Sequence, residues 1–483
     1  MRFAQRGARL GSLLAAAAIA ALALPETVLG HQLNPTYTSR LPLAVYLAGA
    51  AMTVALSFVF VLARDVRAAP PTMSEPVVLP RRPIRFGLRA LGLIGWAWIV
   101  AQGIAGGSSS GDVATLFLWV YGWVGLAIVS ALIGPAWQFL DPFSTLHDLG
   151  AAGLHRIGVR PWEPADYPAS LGRWPGLIGF VGFVWLELAM AGGGPSVLFI
   201  VLIGYTVFTL AMMAQFGRDP WRSHGETFTV WFRLLGRLAA FALVDEDGRV
   251  RRRPFASGLL EPGWTIPDVA LVASGIGAIL FDGLSQTQPF FDLFGAPGVS
   301  GITLLLVAWL AAIVVAALLV TRVVGVPATG AGLLPIAVGY LIAHYLTYLL
   351  IDGQNILVAI SDPFQRGWDL FGTAFHEASG AWLPPGLVWT IQLAAVVGGH
   401  MLGAWAGHAA VAIHPPADPD GRALDGRALR AREVPLACVM VALTTITLWS
   451  LGQAIVVETK PAGADVRPGP RPAALQVPTR PVT

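Results

Sequence analysis

Charge is scarce in this sequence, and its positive charge comes almost entirely from one residue type. Only 12% of the 483 residues are Asp, Glu, Lys or Arg, against about a quarter in an ordinary soluble domain. Lysine occurs once, at Lys460, and cysteine once, at Cys438. A single cysteine excludes an intrachain disulfide, a thiolate metal cluster and CxxC redox chemistry. A Walker loop, a dinucleotide fingerprint, a His-Glu-x-x-His pair and a nucleophile elbow are all absent. The sequence signals for nucleotide binding, zincin chemistry and α/β-hydrolase chemistry are therefore missing.

What the chain has is apolar length. Hydrophobic residues make up 55% of it and the mean hydropathy is +0.65. Its apolar runs repeatedly reach the roughly 20 residues a helix needs to cross a bilayer. The fold class that follows is all-α, a polytopic membrane bundle of about ten spans with cytoplasmic amphipathic helices. The spans are expected near 42–64, 86–106, 113–133, 175–191, 196–215, 267–281, 301–321, 331–351, 386–412 and 434–456.

Three segments divide the chain. Residues 1–30 read as a secretory signal: Arg2, Arg6 and Arg9 precede a short apolar stretch from Leu13 to Leu24, which Pro25 breaks. The alternative is an uncleaved first helix. Residues 31–457 form the multi-span domain, and 458–483 are a Pro-rich tail that reads as disordered.

The net charge of +3 and the pI near 9.2 come from arginine. Its placement explains it. With the mature N-terminus outside, the inside loops hold Arg64, Arg67, Arg81, Arg82 and Arg85, and later Arg156, Arg160, Arg173, Arg218, Arg222, Arg233, Arg237 and Arg249. The outside loops near 107–112, 192–195, 282–300 and 352–385 hold only Arg366. That alternation is an orientation signal. It places the protein in the inner membrane with both mature termini outside the cytoplasm, and it removes nucleic acid from the list of partners. Residues 226–243, with Arg233 and Arg237 among aromatics and leucines, are expected to lie on the membrane surface, and residues 136–157 to do the same.

Ionisable groups inside a bilayer are costly and so point to function. They are Glu187, Asp282, His344, His400 and His408. The last two are eight residues apart on one helix, about 12 Å along its axis, so a shared ion needs a donor from another helix. The plainer reading is that these histidines hydrogen-bond between helices. The loop 352–385 adds Asp352, Gln354, Asp362, Asp369, His376 and Glu377, either as metal or water ligands or as a capped, solvated loop. Cleavage after Gly30 would leave His31 as the first residue, whose free amine and imidazole chelate copper. Asp141-Pro142-Phe143 and Asp362-Pro363-Phe364, each followed by an Asp-Leu pair, hint at an internal repeat too faintly to build on.

Several of these stretches together resemble a known group. They are Trp185-Leu186-Glu187-Leu188, Gly225-Glu226-Thr227-Phe228, Phe281-Asp282-Gly283 with Ser285 and Thr287, and Ala343-His344-Tyr345. Gly353-Gln354, Ser361-Asp362-Pro363-Phe364 running on to Gly367-Trp368-Asp369-Leu370-Phe371-Gly372-Thr373, Gly399-His400 and His408 complete the set. The chain resembles the bacterial multi-pass membrane proteins called fenitrothion hydrolases over most of its length. It departs at Gln365, where a glycine is expected, and in its longer C-terminus.

The resemblance implies a membrane-bound phosphotriesterase, with a partner membrane subunit. Joined to the residue reading, it gives a hydrolase of apolar organophosphate triesters with a site open to the outer face. His31, His344 and His400 are the expected ligands of a divalent metal, copper or zinc. Asp282 or Asp369 is the expected general base or supporting carboxylate. The rival reading is a copper-binding or copper-redox membrane protein built on the His31 chelate.

Overall fold

A computed structural model describes residues 82–105, 111–159, 163–190, 194–244, 249–415 and 426–451, together with Met52 and the strand β1 (Val77–Val78). The signal segment, His31, the span expected at 42–64 apart from Met52, and the tail lie outside the described residues.

The chain is a helical bundle. The long helices α1 (Arg82–Ala105) and α2 (Val113–Leu132) are followed by the short α3 (Trp137–Leu140) and α4 (Pro142–Arg156). Next come α5 (Trp174–Leu188), α6 (Gly194–Phe216), α7 (Arg218–His224) and α8 (Thr227–Leu235). The strands β2 (Phe241–Leu243) and β3 (Arg249–Arg252) form a small antiparallel sheet with β1 in the order β1-β3-β2. Then follow α9 (Ile266–Ser285), α10 (Gln288–Phe294), α11 (Val299–Val324) and α12 (Val326–Ile351). The last elements are α13 (Ile356–Ser361), α14 (Pro385–Ile413) and α15 (Gly426–Leu451).

Eight of these helices, α1, α2, α6, α9, α11, α12, α14 and α15, are long and apolar enough to cross a membrane. The fourth expected span is the apolar but shorter α5, of 15 residues. This is a membrane protein, as the apolar runs require. Several boundaries moved, the largest at the last span, which starts at Gly426 rather than 434. The eighth span starts at Val326 rather than 331, because Gly325 at φ 91° turns the chain directly out of α11. The sixth runs on to Ser285, so Asp282 sits in the last turn of α9.

α12 and α14 meet main chain to main chain. A Cβ on Gly399 would fall 2.6 Å from the Pro335 carbonyl oxygen, and one on Gly403 would strike the Gly332 carbonyl. Gly399, Gly403 and Gly407 recur every fourth residue, the small-residue spacing that lets membrane helices approach closely. The contact seats Tyr340 of α12 against His400 of α14.

The segment 226–243 does not lie on the surface. Val230, Trp231, Phe232, Leu234 and Leu235 of α8 are all buried, and residues 241–243 form β2. Trp231 stacks on Trp123 of α2 with ring centroids 5.9 Å apart. α8 is amphipathic, but neighbouring helices rather than lipid or water cover its apolar residues. α4 is also amphipathic, as expected, with Phe143 buried and Leu149 and Leu154 exposed.

The two Asp-Pro-Phe turns grip opposite ends of one helix. Near the start of α1, Arg89 donates to Thr145 at 3.2 Å and to Asp148 at 2.5 Å, both on α4. Near its end, Trp98 and Gln102 donate to the Pro363 carbonyl at 2.8 and 3.3 Å. Arg366 closes that end by donating to the Ala105 carbonyl at 2.9 Å.

Candidate functional site

α9 opens with a capping box in which Thr265 and Asp268 satisfy each other's backbone groups, while Arg173 holds Asp268 at 2.6 Å. That fixes one end of a helix buried along most of its length. The other end presents Asp282. Its Oδ2 lies 2.9 Å from His344 Nε2 and accepts the Tyr345 hydroxyl at 2.9 Å, while Oδ1 accepts Gln286 Nε2 at 2.8 Å. A carboxylate only accepts, so His344 carries its hydrogen on Nε2 and leaves Nδ1 as the basic nitrogen. The Tyr345 hydroxyl also lies 3.3 Å from Glu187 Oε1 on α5.

Beside this cluster is a cavity of about 10 Å³, lined by Tyr340, His344, Thr447 and Ser450 with Ile279, Leu280 and Ala343. That is the room one water molecule needs. Gly283 is what lets α15 come so near. A Cβ there would lie 2.6 Å from Ser450 Oγ and 3.8 Å from His344 Nδ1. The cluster keeps access to its surroundings, since the His344 and Asp282 side chains are 22% and 16% exposed.

The remaining sequence candidates separate. His400 is fully buried, with Nδ1 2.8 Å from the Val396 carbonyl and Nε2 3.3 Å from the Tyr340 hydroxyl. His408 pairs with Glu433 at 2.7 Å. Asp369 folds back into its own loop, where Ser361 Oγ donates at 2.8 Å and the Ala374 amide at 3.0 Å. These hydrogen bonds hold its carboxyl below the ordinary carboxylate range. Asp362 likewise accepts the Arg366 and Gly367 amides, and His376 lies 3.3 Å from Gln354 Oε1. The 352–385 groups thus brace one another, and none of these bonds joins them to Asp282 or His344.

A shared metal fits these donors poorly. His344 turns Nε2 to Asp282, and both nitrogens of His400 are engaged elsewhere. Among the described residues no three His, Cys, Asp or Glu side chains converge on a point where an ion could sit.

Sequence reasoning missed Tyr340, Thr447 and Ser450, isolated hydroxyls in apolar runs whose shared cavity appears only on folding. It also missed a buried group at the other end of α1. There Arg222 meets Asp141 at 3.1 Å, and Glu226 caps α8 while accepting the Tyr205 hydroxyl at 2.6 Å. Burial, then the nearby Asp141 charge, pushes the Glu226 carboxyl above its usual range. Each of these side chains is spent on capping or pairing, which marks the group as structural.

Comparison of the chain with protein-family models, curated proteins and solved structures returns no match. The class rests on the fold: a polytopic α-helical membrane protein with a partly open carboxylate–histidine cluster at the end of α9.

Proposed function

We propose that this protein is a membrane-bound hydrolase of apolar organophosphate triesters, with His344 as general base. The observation that carries the reading is the 2.9 Å Asp282–His344 contact beside a water-sized cavity. The resemblance of the sequence to fenitrothion hydrolases supports it. Asp282 holds the ring by Nε2, and Nδ1 is left to take a proton from water. The hydroxide attacks phosphorus, the aryloxide leaves, and His344 returns the proton to it, giving a phosphodiester and a phenol. An apolar substrate dissolves in the bilayer and reaches the site from the side.

The arginine distribution supports an orientation with the Asp282 end on the outer face of the inner membrane. A divalent ion is the further expectation of the sequence. In this geometry it would have to displace Asp282 from His344 or Tyr340 from His400, so no step is assigned to it. A partner membrane subunit is likewise proposed on the resemblance alone.

The test is phenol release from an apolar aryl phosphotriester by purified protein in liposomes, before and after chelation and with copper or zinc restored. Asp282→Asn and His344→Ala should each lower turnover by about 10²-fold or more. Wild-type release no faster than from empty liposomes, with metal supplied, would sink the reading. Bound copper without hydrolysis would favour the rival copper protein.

A further inference from the structure

Glu187 is the intramembrane carboxyl that the proposed hydrolysis leaves unused. It stands in the last turn of α5 with its Oε2 buried. The charged group acting on it is Asp282, of its own sign. A buried charge is expensive unless it is paired and hydrogen-bonded, so the hydrogens around it decide its state.

Asp282 takes three of them. His344 Nε2 and the Tyr345 hydroxyl both donate to its Oδ2 at 2.9 Å, and Gln286 Nε2 donates to Oδ1 at 2.8 Å. Glu187 has far less. The Trp123 indole N–H hydrogen-bonds to its carboxyl but is shared with the Tyr345 oxygen. The other contact runs from Glu187 Oε1 to that same Tyr345 oxygen, at 3.3 Å. The Tyr345 hydrogen already lies on Asp282. With Glu187 ionised, two oxygens would face each other with no hydrogen between them. A proton on Oε1 resolves this, because it is donated to the Tyr345 oxygen and leaves no second negative charge buried beside Asp282.

The hydrogens then point one way, from Glu187 to Tyr345 and from Tyr345 to Asp282. Glu187 can give its proton to the Tyr345 oxygen as Tyr345 passes its own hydrogen to Asp282 Oδ2. Tyr345 is restored, Glu187 is ionised and Asp282 is neutral. The pair holds one proton and one negative charge before and after. Its two ends differ in access. The Asp282 side chain is 16% exposed, and its partner Gln286 lies just past the end of α9. Asp282 therefore meets water where Glu187 Oε2 does not. Chains of ionisable groups inside a membrane are the material of proton relays.

We propose that Glu187 and Asp282 form an intramembrane proton-binding site, in which Glu187 holds one proton and exchanges it through Tyr345 with water at the end of α9. The proposal does not depend on hydrolysis, which is assayed separately.

The experiment is infrared spectroscopy of the full-length protein in liposomes at neutral pH, transferred from H2O to D2O. The difference between wild type and Glu187→Gln should contain the carbonyl band of a protonated carboxylic acid, and that band should shift on deuteration. Absence of the band overturns the proposal, and a band that does not shift overturns the exchange. Tyr345→Phe should keep the band and slow its shift by about 10²-fold. A shift as fast as wild type overturns the relay, since the proton then reaches water without Tyr345. Glu187→Asp, which keeps the carboxyl but draws it back from Tyr345, should slow the shift likewise and guards against misfolding of the first variant. Gel filtration and thermal melting confirm the fold of each.

Discussion

The Tyr345 hydroxyl donates to Asp282 at 2.9 Å while lying 3.3 Å from Glu187. One hydrogen cannot serve both carboxylates at once, so the shorter contact marks Asp282 as its holder. Tyr345→Phe removes that donor and leaves two carboxylates facing an apolar ring. We expect a loss of about 1–3 kcal/mol of stability, measured as a lowered Tm in detergent. An unchanged Tm would show that water replaces the hydroxyl.

Asp282 and Asp369 should separate cleanly. Asp369→Asn is expected to retain hydrolysis and to make the 361–374 loop more sensitive to protease, because the carboxylate only closes that loop. Asp282→Asn is expected to lose hydrolysis with the loop unaffected. Equal losses of turnover would return Asp369 to the site.

The glycine contact between α12 and α14 has no spare volume. Gly403→Val forces the helices apart against the Gly332 carbonyl, and overpacking of this kind costs about 1–3 kcal/mol or more. Gly398→Val, where an added Cβ meets nothing within 4 Å, is the matched control. Thermal melts of the two variants should differ in that order.

Asp148 supplies a pH dependence. Burial opposes its charge, but hydrogen bonds from His147 and Arg89 and the Arg218 charge outweigh it and hold the carboxyl below its ordinary 3.8. Its folded value is depressed, so its contribution is present above the unfolded value and lost as pH falls below it. Asp148→Asn should flatten the decline in Tm between about pH 5 and pH 2. A decline as steep as wild type would place the acid sensitivity elsewhere.

Much of the fold was legible because apolar length is local. The runs at 113–133 and 267–281 became α2 and α9 to within about a turn, and the run at 434–456 lies largely in α15, which starts eight residues earlier, at Gly426. α8 was misplaced because aromatic and leucine positions with two arginines look interfacial until Trp123 and Phe180 are seen covering them. The Asp282–His344 pair spans 62 positions, and no periodicity reports a partner so distant. Ser450 reads as one more polar residue in an apolar helix, since its meaning depends on Gly283 across a contact. The glycines at 399, 403 and 407 were visible at helical spacing, but the helix they face was not.

Glycine is usually the residue of slack, yet at the α12–α14 contact it works the other way. With main chain resting on main chain, no rotamers lie between the helices to absorb a shear. Any slide of α12 along α14 would have to drive the Gly332 and Pro335 carbonyls into Gly403 and Gly399. Stiffness across two helices is obtained here by leaving side chains out.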